Sequence, residues 1–566
     1  MSIVPTLRRA ALVAALTGAA ALRTAGLTIA QAPMPAPAAV AVSEARFARL
    51  GEDDIRRWLT YLSSDLMQGR AVFTEGYGLA ASYVASELGA MGVTPLGDNG
   101  TYLQGLTRGT YQVTRGGTVT IEAGGERRTF RHGEQVTFPV SAGSRQRLTF
   151  DGVEFLGAGP VVGGAVGGGA AAARDLEGKL VLFMPTPTGA REGRAARGLV
   201  ATQSAHLIDV RGAAAVVALV PELAAGEGNG ARTDAQPTTV SSVSRMDTPR
   251  APALIAGDEV FDLVLRRAPS SLADLRAIAG RGEPLPAFTV PDVSMTVEID
   301  NTYEMVTSQF TQNVVGMVEG AEPALSETYV FFGAHLDHEG YATSNEPLGR
   351  VNTPLDRDRI WNGADDNASG SAALLAMAKA FMTGPRPKRS VVFVWHAGEE
   401  AGLLGSAYMA ENPVVPLDRI QAQLNVDMIG RNRDNKSDQE NTVYVIGADR
   451  ISTDLHNLIV EANAAQARPL TLDYEFNDSA DPNRFYVRSD HFSYASKGIP
   501  IAFFFTGEHP DYHANTDSVD KIVFPKLVRI AQLIYETGFR IADSTDGLAR
   551  DYRGPRSGRG FRGTLD

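Results

Sequence analysis

The feature that most restricts the fold is an alternation of apolar strands and helices in the C-terminal half of the chain. Helices are predicted at residues 369–383 and 525–541. Strands are predicted at residues 328–334, 390–396, 421–428 and 499–505. Strands that alternate with helices form a mainly parallel sheet covered by helices. We therefore predict an α/β fold for this half of the chain.

Acidic residues and histidines come after these strands, at the ends where open α/β sheets form their ligand crevice. The positions are His335, Asp337, Asp365, Asp366, Glu399, Glu400, Asp427, His513 and Asp517. So many carboxylates in an apolar cleft are unfavourable unless cations neutralise them. The chain has no cysteine, so His, Asp and Glu would have to hold a metal. That ligand set suits zinc in an open catalytic site.

Each of these motifs also has a purely structural interpretation. Asp365 and Asp366 could cap a helix, and Glu399 and Glu400 could open one. The remaining histidines are interpreted as ordinary ones; they include His338, His396, His456 and His509. A shared site is favoured because the same strand-end placement repeats along the chain.

The N-terminus has the pattern of an export signal over residues 1–32. Arg8 and Arg9 precede a short apolar stretch, and a small residue stands at Ala30 and at Ala32. The apolar stretch is too short to span a bilayer. We expect an exported bacterial protein, periplasmic or secreted, with no stable membrane insertion after cleavage; an N-terminal anchor is the alternative. A Pro/Ala-rich linker is predicted at 33–43.

The remaining chain divides by composition. Residues 140–300 are rich in glycine, alanine and short β-prone runs, which predicts a separate, mostly β inserted domain. The domain that carries the strand-end residues would then comprise 44–139 and 301–545. The Gly/Arg-rich tail 546–566 is expected to be disordered. The net charge of −12 argues against a nucleic-acid partner.

Six motifs resemble, in the same order, those of the M28 family of zinc aminopeptidases and carboxypeptidases. They are GAHLDH, GADDNASG, AGEEAGLLGS, NVDMIGR, SDHFSYASKGIP and FTGEHPDYHANTD. YLSSDLMQGR, near residues 61–70, resembles the N-terminal part of exported bacterial members. The insert resembles a protease-associated (PA) domain through the weaker motifs DLEGKLVLF and RGAAAVVALV. The resemblance implies an α/β/α sandwich with a mostly parallel, mixed central sheet.

The resemblance also implies two Zn²⁺ ions and a set of ligands for each ion. His335 and Asp427 would bind one ion, and Glu400 and His513 would bind the other. Asp366 would bridge both ions.

Further roles are implied by the same resemblance. Glu399 would be the general base, and Tyr486 would stabilise the oxyanion. Asp337 and Asp517 would orient the metal-binding His335 and His513, because metal-bound imidazoles are usually held by a second partner.

The implied activity is that of an aminopeptidase acting on peptides or small amino-acid derivatives. One alternative is a carboxypeptidase of the glutamate-carboxypeptidase type, for which Arg431 is a candidate to bind substrate carboxylates. A one-zinc cyclotransferase and a non-catalytic binding protein on the same fold are further alternatives. The sequence indicates no particular oligomeric state.

Overall fold

The computed structural model describes residues 46–114, 116–140, 142–159, 174–185, 194–220, 238–244, 246, 248–479 and 481–566. The predicted export signal (1–32) and linker (33–43) lie outside these ranges. Within the ranges, no helix is both long enough and apolar enough to cross a membrane.

The strands, numbered in chain order, form two large sheets. The larger sheet contains β1 (Thr94–Pro95), β2 (Leu103–Thr114), β9 (Thr238–Ser242), β12 (Thr302–Val318), β13 (Tyr329–His335), β16 (Ser390–His396), β17 (Ile420–Val426), β18 (Thr442–Ile446), β19 (Thr471–Asp473) and β20 (Ile501–Phe505). Their order is β19-β18-β20-β17-β13-β16-β12-β2-β9, and β1 pairs with β12. The central strands β20, β17, β13 and β16 are parallel, and antiparallel pairs flank them on both sides.

The helices are α1 (Glu52–Leu62), α2 (Glu75–Met91), α3 (Arg194–Asp209), α4 (Asp258–Val264), α5 (Leu272–Gly280), α6 (Gly370–Thr383), α7 (Leu404–Glu411), α8 (Ala448–Ile451), α9 (Thr453–Ala464), α10 (His491–Ala495) and α11 (Phe524–Asp543). Alternate residues of the central strands enter two different cores: Phe332 packs with α1, α2, α6, α9 and α11, whereas Phe331 packs with α7 and α10. Neighbouring residues of a strand point to opposite faces, so helices cover both faces. The predicted α/β fold with a mixed central sheet is confirmed.

The smaller sheet contains β3 (Gly117–Ala123), β4 (Glu126–Arg131), β5 (Val136–Thr137), β6 (Gln146–Phe155), β7 (Leu180–Phe183), β8 (Ala215–Leu219), β10 (Ala253–Ala256) and β11 (Phe288–Ile299). Its order is β4-β3-β11-β6-β7-β8-β10-β5. A separate pair, β14 (Gly340–Tyr341) and β15 (Ile360–Trp361), lies near the site described below.

The insert differs from its predicted bounds of 140–300. Its sheet already begins at β3, because β2 and β12 pair in the larger sheet while the strands next to them in sequence, β3 and β11, pair in the smaller one. In addition, β9 falls within the predicted insert but pairs with β2. The PA-like identity of the insert stays a prediction.

The tail was expected to be disordered over 546–566, and the structure corrects this. The Asp449 side chain accepts hydrogen bonds from the backbone N–H groups of Arg556 and Ser557, at 2.7 and 2.8 Å. Asn457 exchanges two hydrogen bonds with the backbone of Leu565. A Gly/Arg-rich composition does not reveal such partners, because they lie about a hundred residues away in the chain.

Candidate metal centre

The four parallel central strands deliver the residues after them to one edge of the larger sheet. His335 is the last residue of β13, and Asp427 comes directly after β17. Glu399 and Glu400 come after β16, and His513 comes after β20. Since these strands run in the same direction, their carboxyl ends meet at this edge.

The five predicted ligands form one cluster around Asp366. The Nε2 atom of His335 lies 3.2 Å from Asp366 Oδ1 and 3.2 Å from Asp427 Oδ1. The Nε2 atom of His513 lies 3.2 Å from Asp366 Oδ2 and 3.1 Å from Glu400 Oε2. Each carboxylate oxygen of Asp366 therefore faces a different histidine and a different second acid.

The electrostatics of the cluster demand positive charge on both sides of Asp366. Burial opposes ionisation of Asp366, but hydrogen bonds from His335 and His513 outweigh it and hold the pKa of Asp366 well below its usual range. Burial also opposes protonation of His513, yet Asp366 and Glu400 raise the pKa of His513 to about 11. The pKa of His335 is raised well above its ordinary value in the same way, by Asp427 and Asp366 against burial.

Glu399 lies beside the cluster, and its pKa is shifted in the opposite direction from that of Asp366. Burial raises the pKa of Glu399 well above its ordinary value, and the neighbouring charges of Glu400 and Asp427 raise it further. Its side chain lines the same cleft as the five predicted ligands. A carboxyl group with a raised pKa beside a candidate metal site suits general acid–base work.

The Asp337 carboxylate lies closer to the turn after β16 than to the His335 ring. Its Oδ1 and Oδ2 accept hydrogen bonds from the backbone N–H groups of Glu399 (3.0 Å) and Glu400 (3.3 Å). The Nδ1 atom of His335 lies 3.1 Å from the backbone carbonyl oxygen of Asp337 but 3.9 Å from its carboxylate. The carboxylate thus fixes the position of the two glutamates.

Asp517 does not orient His513, contrary to the expectation. Its Oδ2 accepts hydrogen bonds from the backbone N–H groups of Asp365 and Asp366, at 2.9 and 3.1 Å. The Nδ1 atom of His513 instead lies 3.3 Å from Glu339 Oε1. The spacing of four residues suggested a local pair, but the side chain of Asp517 turns toward the segment that carries Asp366.

Tyr486 is also placed differently from the expectation. Its ring lies in the apolar core under the sheet, with the Arg450 guanidinium stacked 3.8 Å from the ring centroid, and burial raises its pKa to about 12. It is absent from the residues that line the cleft, whereas Tyr512 lines it beside His513. The ring centroids of Tyr512 and His513 are 3.9 Å apart. The adjacency of Tyr512 to a predicted ligand was the available sequence signal.

His338 and Glu339 complete the site and were not assigned to it from the sequence. The Nδ1 atom of His338 lies 2.9 Å from Glu400 Oε1 and 3.9 Å from Asp366 Oδ2. His338 with Asp366 and Glu400, and Glu339 with Glu400 and His513, form two further groups close enough to hold an ion. The run HLDHEG after β13 contained the signal for both residues.

Part of the wall of the cleft is apolar, although most of the residues that line the cleft are charged or polar. Its apolar residues are Met428, Phe485, Phe503 and Phe505. Arg488 on the rim donates to Glu508 and to the Tyr512 hydroxyl, each at 3.2 Å. Arg431, the predicted candidate for substrate carboxylates, is buried and donates to Asp511 at 2.9 Å.

The sequence of this region matches a known family. Residues 313–538 match the model of Peptidase family M28. The predicted resemblance to this family is therefore confirmed, and the match includes all five clustered residues and Glu399.

Individual proteins that resemble this chain have low sequence identity to it. A probable leucine aminopeptidase of Arthroderma otae is 28% identical over 42% of this chain and 66% of its own length. One from Arthroderma benhamiae is 28% identical over 41% of this chain and 64% of its own length. The chain thus spans just under two thirds of these relatives. The solved structure of the aminopeptidase from Aneurinibacillus sp. strain AM-1 is 18% identical, covering 90% of this chain and 98% of that one, with a TM-score of 0.43.

Proposed function

We propose that this M28 protein is a two-zinc aminopeptidase that releases N-terminal residues from peptides. The observation that carries the proposal is the position of the Asp366 carboxylate. Its two oxygens face two separate groups, each made of a histidine and a second carboxylate. A carboxylate shared in this way is the arrangement that a pair of dications requires.

The residues present fit such a pair of ions. His335, Asp427 and Asp366 would hold one ion with only nitrogen and oxygen donors. His513 would hold the other with Asp366 and Glu400, whose carboxylate oxygens lie 3.2 and 3.1 Å from its Nε2 atom. Three protein ligands at each ion leave room for water or substrate, as in catalytic zinc sites. When bound, the ions would polarise the scissile carbonyl and make a bound water more acidic.

Glu399 would supply the proton transfers. Its raised pKa suits a group that takes a proton from the attacking water and later gives it to the leaving amine. Asp337 would keep Glu399 and Glu400 in place through their backbone N–H groups. Tyr512, in place of Tyr486, has a hydroxyl that could donate a hydrogen bond to the substrate, whereas the hydroxyl of Ser489, which also lines the cleft, donates to Asp427.

The aromatic wall supports an apolar side chain at the cleaved terminus. Phe485, Phe503 and Phe505 would bury such a side chain next to the cluster. The leucine aminopeptidase names of the relatives are consistent with this preference. Excess carboxylate around the ions would also attract the ammonium group of a free N-terminus.

The experiment is to measure zinc content and hydrolysis on the same preparation. We expect about two zinc ions per chain and cleavage of leucine p-nitroanilide. Acetylation of the substrate's amino group should abolish cleavage, because the free terminus is then lost. Two zinc ions with no cleavage of any N-terminal substrate would contradict the aminopeptidase assignment.

The carboxypeptidase alternative is supported by Arg488 on the rim, where its guanidinium could meet a substrate carboxylate. The positive charge of Arg488 is already partly neutralised by its ion pair with Glu508. Cleavage of N-acetylated peptides with a free C-terminus, but not of leucine p-nitroanilide, would favour this alternative. The exported location and the zinc count remain parts of the proposal.

A further inference from the structure

Arg70 closes the motif YLSSDLMQGR and is among the most deeply buried side chains of the described chain. Only 1% of its surface is exposed. The short helical segment Asp65–Arg70 contacts β14, which follows the loop after His335, and β15, which precedes Asp366 by a few residues. An arginine in such a position needs hydrogen-bond partners for its guanidinium group, because a buried charge is costly unless it is fully hydrogen-bonded.

The guanidinium group of Arg70 satisfies that need with four backbone carbonyl oxygens. Nε donates to Leu336 (2.8 Å), Nη1 to Leu62 (2.6 Å) and Asn362 (2.7 Å), and Nη2 to Gly363 (2.9 Å). Three chain segments that are distant in sequence therefore meet at one side chain.

Two of these segments carry residues of the metal centre. Leu336 lies between His335 and Asp337, and Gly363 precedes Asp366 by three residues. The guanidinium consequently ties the backbone that positions His335 to the backbone that positions Asp366. A planar fork with several donors can make this connection, whereas a lysine ammonium group cannot reach all the carbonyls at once.

The segment around Arg70 fits tightly against the same loops. The backbone N–H of His338 donates to the carbonyl of Arg70 at 3.3 Å. At Gly69, where φ is +67°, a Cβ atom would lie 2.4 Å from the Gly340 carbonyl oxygen. The approach of this segment is therefore fixed by backbone contacts on both sides of Arg70.

The charge of Arg70 also acts on the cluster. The guanidinium forms no ion pair with a carboxylate in the part of the chain that the structure describes. Burial lowers the pKa of Arg70 to about 10, opposed by the charges of Asp366, Asp337, Asp517 and Glu400. The group stays cationic at neutral pH and offsets part of the repulsion among those acids.

We propose that Arg70 is a positioning residue of the metal centre, which holds the His335 and Asp366 segments at the spacing that two shared ions need. The inference rests on the proposed two-zinc function. It assigns a role at the C-terminal site to an N-terminal segment that lies outside the residues 313–538 matched by the family model.

Arg70→Gln and Arg70→Lys test the proposal, with Arg389→Gln as the matched control. Arg389 is also buried, at 3% exposure, and donates to Thr328 and Thr545, but it precedes the opposite end of β16. Zinc dissociation constants are measured by chelator competition on the full chain, together with Tm of the metal-free protein.

We expect Arg70→Gln to weaken zinc binding by ~10–100-fold, as losing an outer support of metal ligands does. Arg70→Lys should restore little, because it keeps the charge but loses the fork. Arg389→Gln should lower Tm without changing zinc affinity. Wild-type zinc affinity in both Arg70 variants, or an equal loss in the Arg389 variant, would overturn the inference. Absence of zinc binding by the wild-type protein would instead overturn the proposed function.

Discussion

The two sheets of the molecule share a strand pattern but differ in the residues that come after the strands. Each sheet has a parallel strand that is buried along its whole length, LVLF of β7 in the smaller sheet and SVVFVWH of β16 in the larger one. Beyond the carboxyl end of β16 come the glutamates of the cluster. Beyond β7 come Met184 and Pro185, which can neither bind a metal of this kind nor transfer a proton.

Charged residues of the smaller sheet are arranged mostly as surface ion pairs. Arg128 pairs with Glu259, and Arg276 with Asp258, with about half of each side chain exposed. Among the described residues, the groups able to hold a metal all lie at the larger sheet. The comparison teaches that buried parallel strands build the platform, whereas the few residues after them decide whether it carries a site.

Among the substitutions that test this comparison, the largest effect is expected for one at Glu399. Glu399→Gln keeps the size of the side chain but removes the proton acceptor, so kcat should fall by ~10²–10⁴-fold. Zinc content, measured by elemental analysis, should not change. The control is Glu154→Gln, which alters a buried glutamate of the smaller sheet and should leave kcat unchanged. Near-wild-type kcat in the Glu399 variant would contradict its role as the base.

An intermediate effect is expected at Asp337. Asp337→Asn leaves one acceptor oxygen for the two backbone N–H groups of Glu399 and Glu400. We expect kcat/KM to fall by ~10–100-fold, the usual cost of losing an outer support at a metal site. Steady-state assays with leucine p-nitroanilide measure it. Asp258→Asn, at the start of α4 in the insert, serves as the control, and equal effects of the two variants would refute the special role of Asp337.

The smallest effect is expected where the insert meets the larger domain. Lys497 lies 2.8 Å from Asp209 of α3, and both side chains are partly exposed. Lys497→Ala should change the free energy of unfolding by about 0.2–1 kcal/mol, as exposed ion pairs do. Denaturant titration measures the change, and kcat should stay constant. A large loss of kcat would mean that the insert is coupled to the site and would contradict the contrast between the sheets.

The sequence predicted the central part of the fold well because local signals agree there. Apolar runs located the parallel strands to within about two residues, as at β13 and β16. The histidines and acids that cluster were also foreseen, since strand ends have a fixed place in an α/β sheet. Their roles as ligands remain proposals.

The parts that were mispredicted depend on contacts that are distant in sequence or on loop geometry. Tyr486 and Tyr512 both lie near the expected motifs, and only the folded loops determine which ring enters the cleft. The partner of His513 is Glu339, which belongs to another segment. The bounds of the insert depend on the pairing of β3 with β11, which composition does not indicate.

The crossing between the sheets has a mechanical consequence. β2 and β12 pair from Thr114 and Thr302 onward, and the same two chain paths pair again as β3 and β11 from Gly117 and Ile299. A pull on the insert along this ribbon draws β2 and β12 in the same direction, so it loads in shear the hydrogen bonds that hold β12 to β16. Several of these bonds must rupture together, so the insert resists being pulled away from the rest of the protein.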